Sequence, residues 1–184
     1  MIVSMYHLKG VTKGMSREQT KELCRLTRER LKMANSLLRD FLDFHHLPLL
    51  REDRGSERKD DLYLRECLED LRHLSVYCDL GYERVSLALR RARFNEPFAE
   101  RVLTEVVHTC IDKFYHPRNE VYEEEPHYIY TNRDKIRFRE EPPASVKELT
   151  LRLAGIFEEL RMELEAFDSD IPTRIPVRSH SATS

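Results

Sequence analysis

The sequence predicts a mainly α protein, an antiparallel four-helix bundle with a small β-hairpin inserted between its third and fourth helices. Three observations lead there. Four stretches carry one apolar stripe each at helical spacing. Charged residues make up 35% of a 184-residue chain that has only five glycines. One segment alone, Phe114 to Ser145, abandons helical periodicity for aromatic and β-branched alternation. Helices with a single apolar stripe can bury it only against one another, which is the reason for a bundle.

The first helix begins at SREQ, where Ser16 and Gln19 have the spacing of a capping box. Its stripe is Leu23, Leu26, Ala34, Leu37, Leu38 and Phe41, and Pro48 is read as its stop. Arg51 to Asp61 is polar, contains Gly55 and reads as a solvated linker. The second stripe is Leu64, Cys67, Leu68, Leu71, Leu74, Cys78, Tyr82, Val85, Leu89 and Ala92. It keeps phase across Gly81, so one long helix carrying a costly glycine is preferred to two.

Asn95 supplies the third N-cap, with Pro97 in the first turn. That helix presents Phe98, Val102, Val106, Cys110 and Phe114 and ends before Pro117. Ser145 and Glu148 make a second capping-box pattern, followed by Val146, Leu149, Leu153, Ile156, Leu160, Leu164 and Phe167. Residues 1–15 are read as a flexible extension, 16–170 as one domain, and 171–184 as a disordered tail.

Between the last two helices, HYIYT and KIRF alternate as strands do, and TNRD between them supplies turn formers. The resulting hairpin arm covers about residues 118–143. On its second strand Ile136 and Phe138 share one face, while Lys135, Arg137 and Arg139 share the other. These basic residues, with Tyr128 and Tyr130, are the candidate partner-binding set. Five basic against seven acidic residues from Pro117 to Ser145 argue against nucleic acid.

Several functions are excluded or disfavoured. A formal charge of −2 does not suit a surface devoted to nucleic acid or anionic membrane. No apolar run approaches the ~18 residues of a membrane span. The N-terminus lacks the basic leader and apolar core of a signal peptide. Cys24, Cys67, Cys78 and Cys110 form no CxxC pair and fall on apolar faces, which reads as reduced thiols in a cytoplasmic core. Neither a phosphate loop nor a GxSxG elbow is present.

The di-metal constellation requires Glu-x-x-His pairs turned into the bundle. Glu105 with His108, and Asp70 with His73, have the needed spacing. At about 100° per residue, His108 falls roughly opposite its helix's apolar centre and His73 about 160° from Leu71. All four therefore read as surface charge, and no metal is assigned. His45 and His46 read as helix-end or partly buried structural groups, and Arg30 as a snorkelling or paired cation within the first stripe. His116 and His127 flank EVYEEEP with nothing to fix their separation.

The segments PRNEVYEEEPHYIYT, DKIRFREEPPASV and ELRMELEAFDSD, within Asp61 to Asp170, resemble the YpuI-like family of Gram-positive bacteria, a family of unknown function. The matching positions are Asn119, Glu120, Val121, Tyr122, Tyr130, Thr131, Ile136, Phe138 and Pro143. The resemblance implies a bacterial, cytoplasmic setting and supplies no catalytic residue or cofactor.

The function expected from the sequence is a non-enzymatic, protein-binding adaptor or regulatory module that uses the hairpin arm. Long non-helical insertions in compact domains generally have a functional reason. The rival is a small-ligand binder or enzyme with a site beneath the hairpin built from tyrosines, His116 and Arg30. Homodimerisation through hairpin edges is a third reading.

Overall fold

Ser16 starts the first helix as its residue type dictates. In the computed structural model, which describes residues 15–55, 61–124 and 136–168, the Ser16 hydroxyl accepts from the Gln19 N–H and the Gln19 side chain accepts from the Ser16 N–H. Helix α1 (Arg17–Phe44) buries Thr20, Cys24, Thr27, Leu31, Ala34, Leu38 and Phe41. Leu26, expected in the stripe, is 38% exposed. The true face is centred on Leu31, and small or hydroxylated residues such as Thr27 complete it where the helices approach closely.

The chain leaves α1 at His45, whose Nδ1–H donates to Phe41 O at 3.0 Å while its ring stacks on Phe41 with centroids 4.0 Å apart. Pro48, expected to end this helix, opens another, α2 (Leu47–Arg54). Its missing N–H costs nothing in a first turn, and the His46 imidazole accepts the Leu49 N–H at 3.3 Å. The first residues of the expected linker are therefore helical, with Leu50 fully buried and Gly55 at φ 61° terminating the helix in the left-handed region. Residues 56–60 of that linker lie outside the described residues.

Helix α3 (Leu62–Arg90) runs unbroken through Gly81. The glycine allows close approach: a Cβ there would lie 3.1 Å from Leu31 Cδ1 and 3.2 Å from Cys110 Sγ. The stripe holds as far as Val85, with Tyr82 and Leu89 partly buried, while Ala92 lies beyond the helix end and is exposed.

Asn95 caps α4 (Glu96–Val106), accepting the Phe98 N–H at 2.9 Å. A π turn (Val107–Ile111) follows, and then α5 (Asp112–Tyr115). The sequence gives this wider turn a reason. Its apolar residues recur every four positions from Phe98 to Phe114, a repeat that drifts by about 40° per turn in an α-helix. One wider π turn takes up the surplus residue and returns Phe114 to the core, where it is fully buried and stacks on Phe157 at 4.5 Å.

The described sheet is a two-stranded antiparallel pair, β1 (Tyr122–Glu124) with β2 (Ile136–Phe138), in the register Tyr122↔Phe138. The expected partner of β2, HYIYT, lies outside the described residues. Alternation on β2 is as read: Ile136 is buried, Arg137 exposed and Phe138 partly buried.

Helix α6 (Ala144–Glu163) starts two residues earlier than its capping pattern implies. Ser145 does not cap it. Its N–H and hydroxyl instead donate to Asp53 of α2 at 2.9 and 2.5 Å. α6 buries Val146, Leu149, Leu153, Ile156 and Leu160, and a short α7 (Glu165–Asp168) follows. Helix α1 packs along α3 and also touches α4 and α6. All four cysteines are free and buried in the shared core. No described helix is long and apolar enough to cross a membrane.

Candidate functional site

The sheet is held against the helices by polar bonds that the apolar pattern does not reveal. Pro117 ends the third helical run, and the chain then turns through Glu120, a non-glycine residue at φ 50°. Asp70 on α3 holds this turn. Its carboxylate accepts the Asn119 N–H at 3.2 and 3.3 Å and the Asn119 side-chain amide at 3.0 Å.

Asp70 is 7% exposed, so its reading as surface charge is corrected. It faces the turn rather than solvent. Burial raises its pKa most, the Asn119 N–H opposes this, and neighbouring Glu69 adds to it, leaving a value of about 6. His73 is only partly buried, and Glu105 forms an ion pair with Arg84 of α3. Among the described residues, no group of three or more His, Cys, Asp or Glu could hold a metal ion.

A second anchor is Tyr63 on α3, 2% exposed, whose hydroxyl lies 3.2 Å from both Val121 O and Glu140 O. Arg54 and Arg139 lie over its ring, 5.3 and 5.4 Å from the centroid. Each of these cations has its own carboxylate, Arg54 with Glu140 at 2.8 Å and Arg139 with Glu66. Arg139 also donates to Asn119 O at 2.8 Å. Tyr122 donates to Phe114 O at 2.7 Å, and its ring meets Phe138 at 5.9 Å.

These contacts leave a groove of about 760 Å³ beside the sheet. One wall is the end of α5 and the turn, with Tyr115, His116, Pro117 and Glu120; the other is Tyr122, Glu123, Arg137, Phe138 and Arg139. Its charges are mixed: Arg137 pairs with Glu123 across the strands, and Glu120 and His116 are exposed. Behind Tyr115, whose hydroxyl donates to Glu158 at 3.0 Å, Arg161 lies 4.2 Å over the ring and pairs with Glu124 and Glu158. A groove with aromatic walls and paired charges can take an extended polar chain or a small polar molecule.

Of the residues singled out from the sequence, Arg137 and Arg139 line this groove. Tyr128, Tyr130, Lys135 and His127 lie outside the described residues. Arg30 is a paired cation on the α1–α6 seam, as its place within the first stripe implies, bound to Glu159 at 2.5 Å and away from the groove in which the rival reading needed it. Sequence reading missed Tyr63 and Arg54, and it gave Asp70 and Asn119 no part in holding the turn. The one available signal was Asn119 itself, a turn former placed just after Pro117.

Comparison with known proteins agrees with the resemblance carried by these segments. Residues 24–173 match the model of a family described as "Protein of unknown function (DUF3907)". The "Uncharacterized protein YpuI" of Bacillus subtilis (strain 168) is 30% identical over 152 residues, covering 83% of each chain. No solved structure matches the chain. The chain belongs to the DUF3907 family of proteins of unknown function, as its likeness to YpuI implied.

Proposed function

We propose that this protein is a non-enzymatic binding module of the cytoplasm whose sheet-side groove takes an extended segment of a protein partner. The observation that carries the reading is the groove itself, walled by Tyr115, His116, Tyr122 and Arg137 and backed by a sheet anchored at Asp70 and Tyr63. The pairing of Arg137 and Arg139 with carboxylates favours a polar peptide over a polyanion such as nucleic acid. Four buried free cysteines support the reducing setting. In this reading, residues 16–170 form one domain, and α1, α3, the α4–α5 run and α6 make an antiparallel bundle with the strands inserted before α6. Tyr128, Tyr130 and Lys135, outside the described residues, complete the proposed partner-binding set with Arg137 and Arg139.

The second reading, a small-ligand or enzymatic site, draws on the same groove. Its volume falls in the ~300–1,000 Å³ range typical of ligand pockets, and His116 and two tyrosines line it.

The two readings separate in one experiment. The immobilised protein is panned against a random peptide library and, in parallel, against small-molecule extracts read by mass spectrometry. His116→Ala and Arg137→Ala serve as controls. Peptides retained by the wild type and lost from both variants support the binding module. A small molecule with the same dependence favours the second reading, and retention that ignores both substitutions overturns the groove as a site.

A further inference from the structure

We propose that Asp70 latches the turn His116–Val121 onto α3, and that this latch is tight in mild acid and loosens as the carboxylate ionises. The geometry is specific. Asp70 takes both N–H groups of Asn119, the Asn119 carbonyl takes Arg139, and Arg139 in turn pairs with Glu66 one helical turn before Asp70. The turn so gripped contains the left-handed Glu120, whose backbone relaxes on release. His116, Pro117 and Glu120 of the same turn form one wall of the groove. The consequence for binding rests on the groove being a site; the latch itself does not.

Charged and polar groups reach Asp70 from every side. Glu69, His73 and Cys67 come from its own helix, Lys113 from α5, Arg118 and Asn119 from the turn, and Tyr122 from β1. Arg118 sits 3.8 Å from Glu69, and Lys113 pairs with Asp112 at 3.1 Å. Burial outweighs the bonds from Asn119, so the carboxyl group titrates near 6 in the latched state. Opening the turn lets water reach it and returns it to the ordinary range near 4.

The latched state therefore holds the proton more tightly than the open one. Below about pH 4 both states are protonated and the latch has its full strength. As pH rises through 6, the charged carboxylate is left poorly hydrated, and opening becomes easier by up to about a hundredfold.

Amide hydrogen exchange on the whole protein tests this without any ligand. The protection factor of the Asn119 amide, corrected for intrinsic exchange, is followed from pH 4.5 to 7.5 beside that of Leu153 in the core. Protection at Asn119 should fall many-fold across this range while Leu153 stays level. Histidine also gains a proton in acid, so Asp70→Asn, which leaves His73 and His116 in place, should abolish the pH dependence. A flat Asn119 profile in the wild type overturns the latch, as does an unchanged slope in Asp70→Asn. If that variant does not fold, carbon-13 titration of the wild-type Asp70 carboxyl decides: a midpoint near 6 that coincides with the loss of protection supports the latch, and a midpoint near 4 overturns it.

Discussion

Asp70 shows how one side chain can carry two opposed effects. Its bonds to Asn119 hold the sheet-side turn, while its charge is poorly hydrated where it lies. A folded pKa raised above the ordinary value adds stability that is full below about pH 4 and lost as pH rises through about 6, an effect of about 3 kcal/mol. Asp70→Asn keeps an acceptor for Asn119 without the charge. Thermal melts should therefore show it at least as stable as wild type at pH 7.5 and relatively less stable at pH 4.5. Tyr63→Phe removes one hydroxyl from two carbonyl groups, one buried and one partly buried, and should cost about 1–2 kcal/mol in denaturant unfolding, with the helices still formed by circular dichroism. Neither residue could be placed from sequence. A buried aspartate looks like any helical aspartate until the turn that covers it is seen, and Asn119 lies 49 residues away in the chain.

Helices were far easier to anticipate. Their periodicity and caps are local, so Ser16 with Gln19, Asn95, and the continuity of α3 through Gly81 all follow from short stretches of sequence. What failed was also local. By sequence Pro48 reads as a stop and Gly55 as part of a linker, although a proline in a first turn and a glycine after a last one can bound a helix as well. Phase errors have a different cause: Leu26 is apolar by type, but the buried azimuth of α1 is set by Thr27 and Leu31. The two helical glycines yield a paired prediction. At Gly155, where an added Cβ meets nothing within 4 Å, alanine should stabilise by about 1 kcal/mol. At Gly81 the same gain is opposed by contacts of 3.1 and 3.2 Å in a packed core, and alanine should destabilise by about 1 kcal/mol net. Equal shifts in the unfolding midpoint for both variants would show that α1, α3 and the π turn are not closely packed there.

The molecule as a whole is tied together across long sequence separations by a few polar links. Asp53 of α2 accepts from Ser145 at the start of α6, Arg54 reaches Glu140, and Tyr63 joins α3 to the chain just before β1 and just after β2, at one end of the strand pair. Ser145 holds the Asp53 carboxyl below the usual carboxylate range, so this link is present above about pH 4 and is lost as pH falls below it. Asp53→Ala should lower the unfolding free energy at pH 7 by no more than about 1 kcal/mol, given its exposure, and by less at pH 3, in denaturant titrations at the two pH values. The mainly helical class and strand β2 could be read from the sequence because both are repetitive patterns, whereas β1, with its two successive glutamates, could not. The groove could not, since its walls come from three elements whose meeting depends on Asp70, Tyr63 and Arg54. Whether that groove binds is best decided by titrating the isotope-labelled protein with a peptide enriched in panning. Binding there predicts amide shifts confined to His116, Glu120, Tyr122 and Arg137, with saturation lost in Arg137→Ala. Shifts spread along the outer face of α3, or none at saturating peptide, would contradict it.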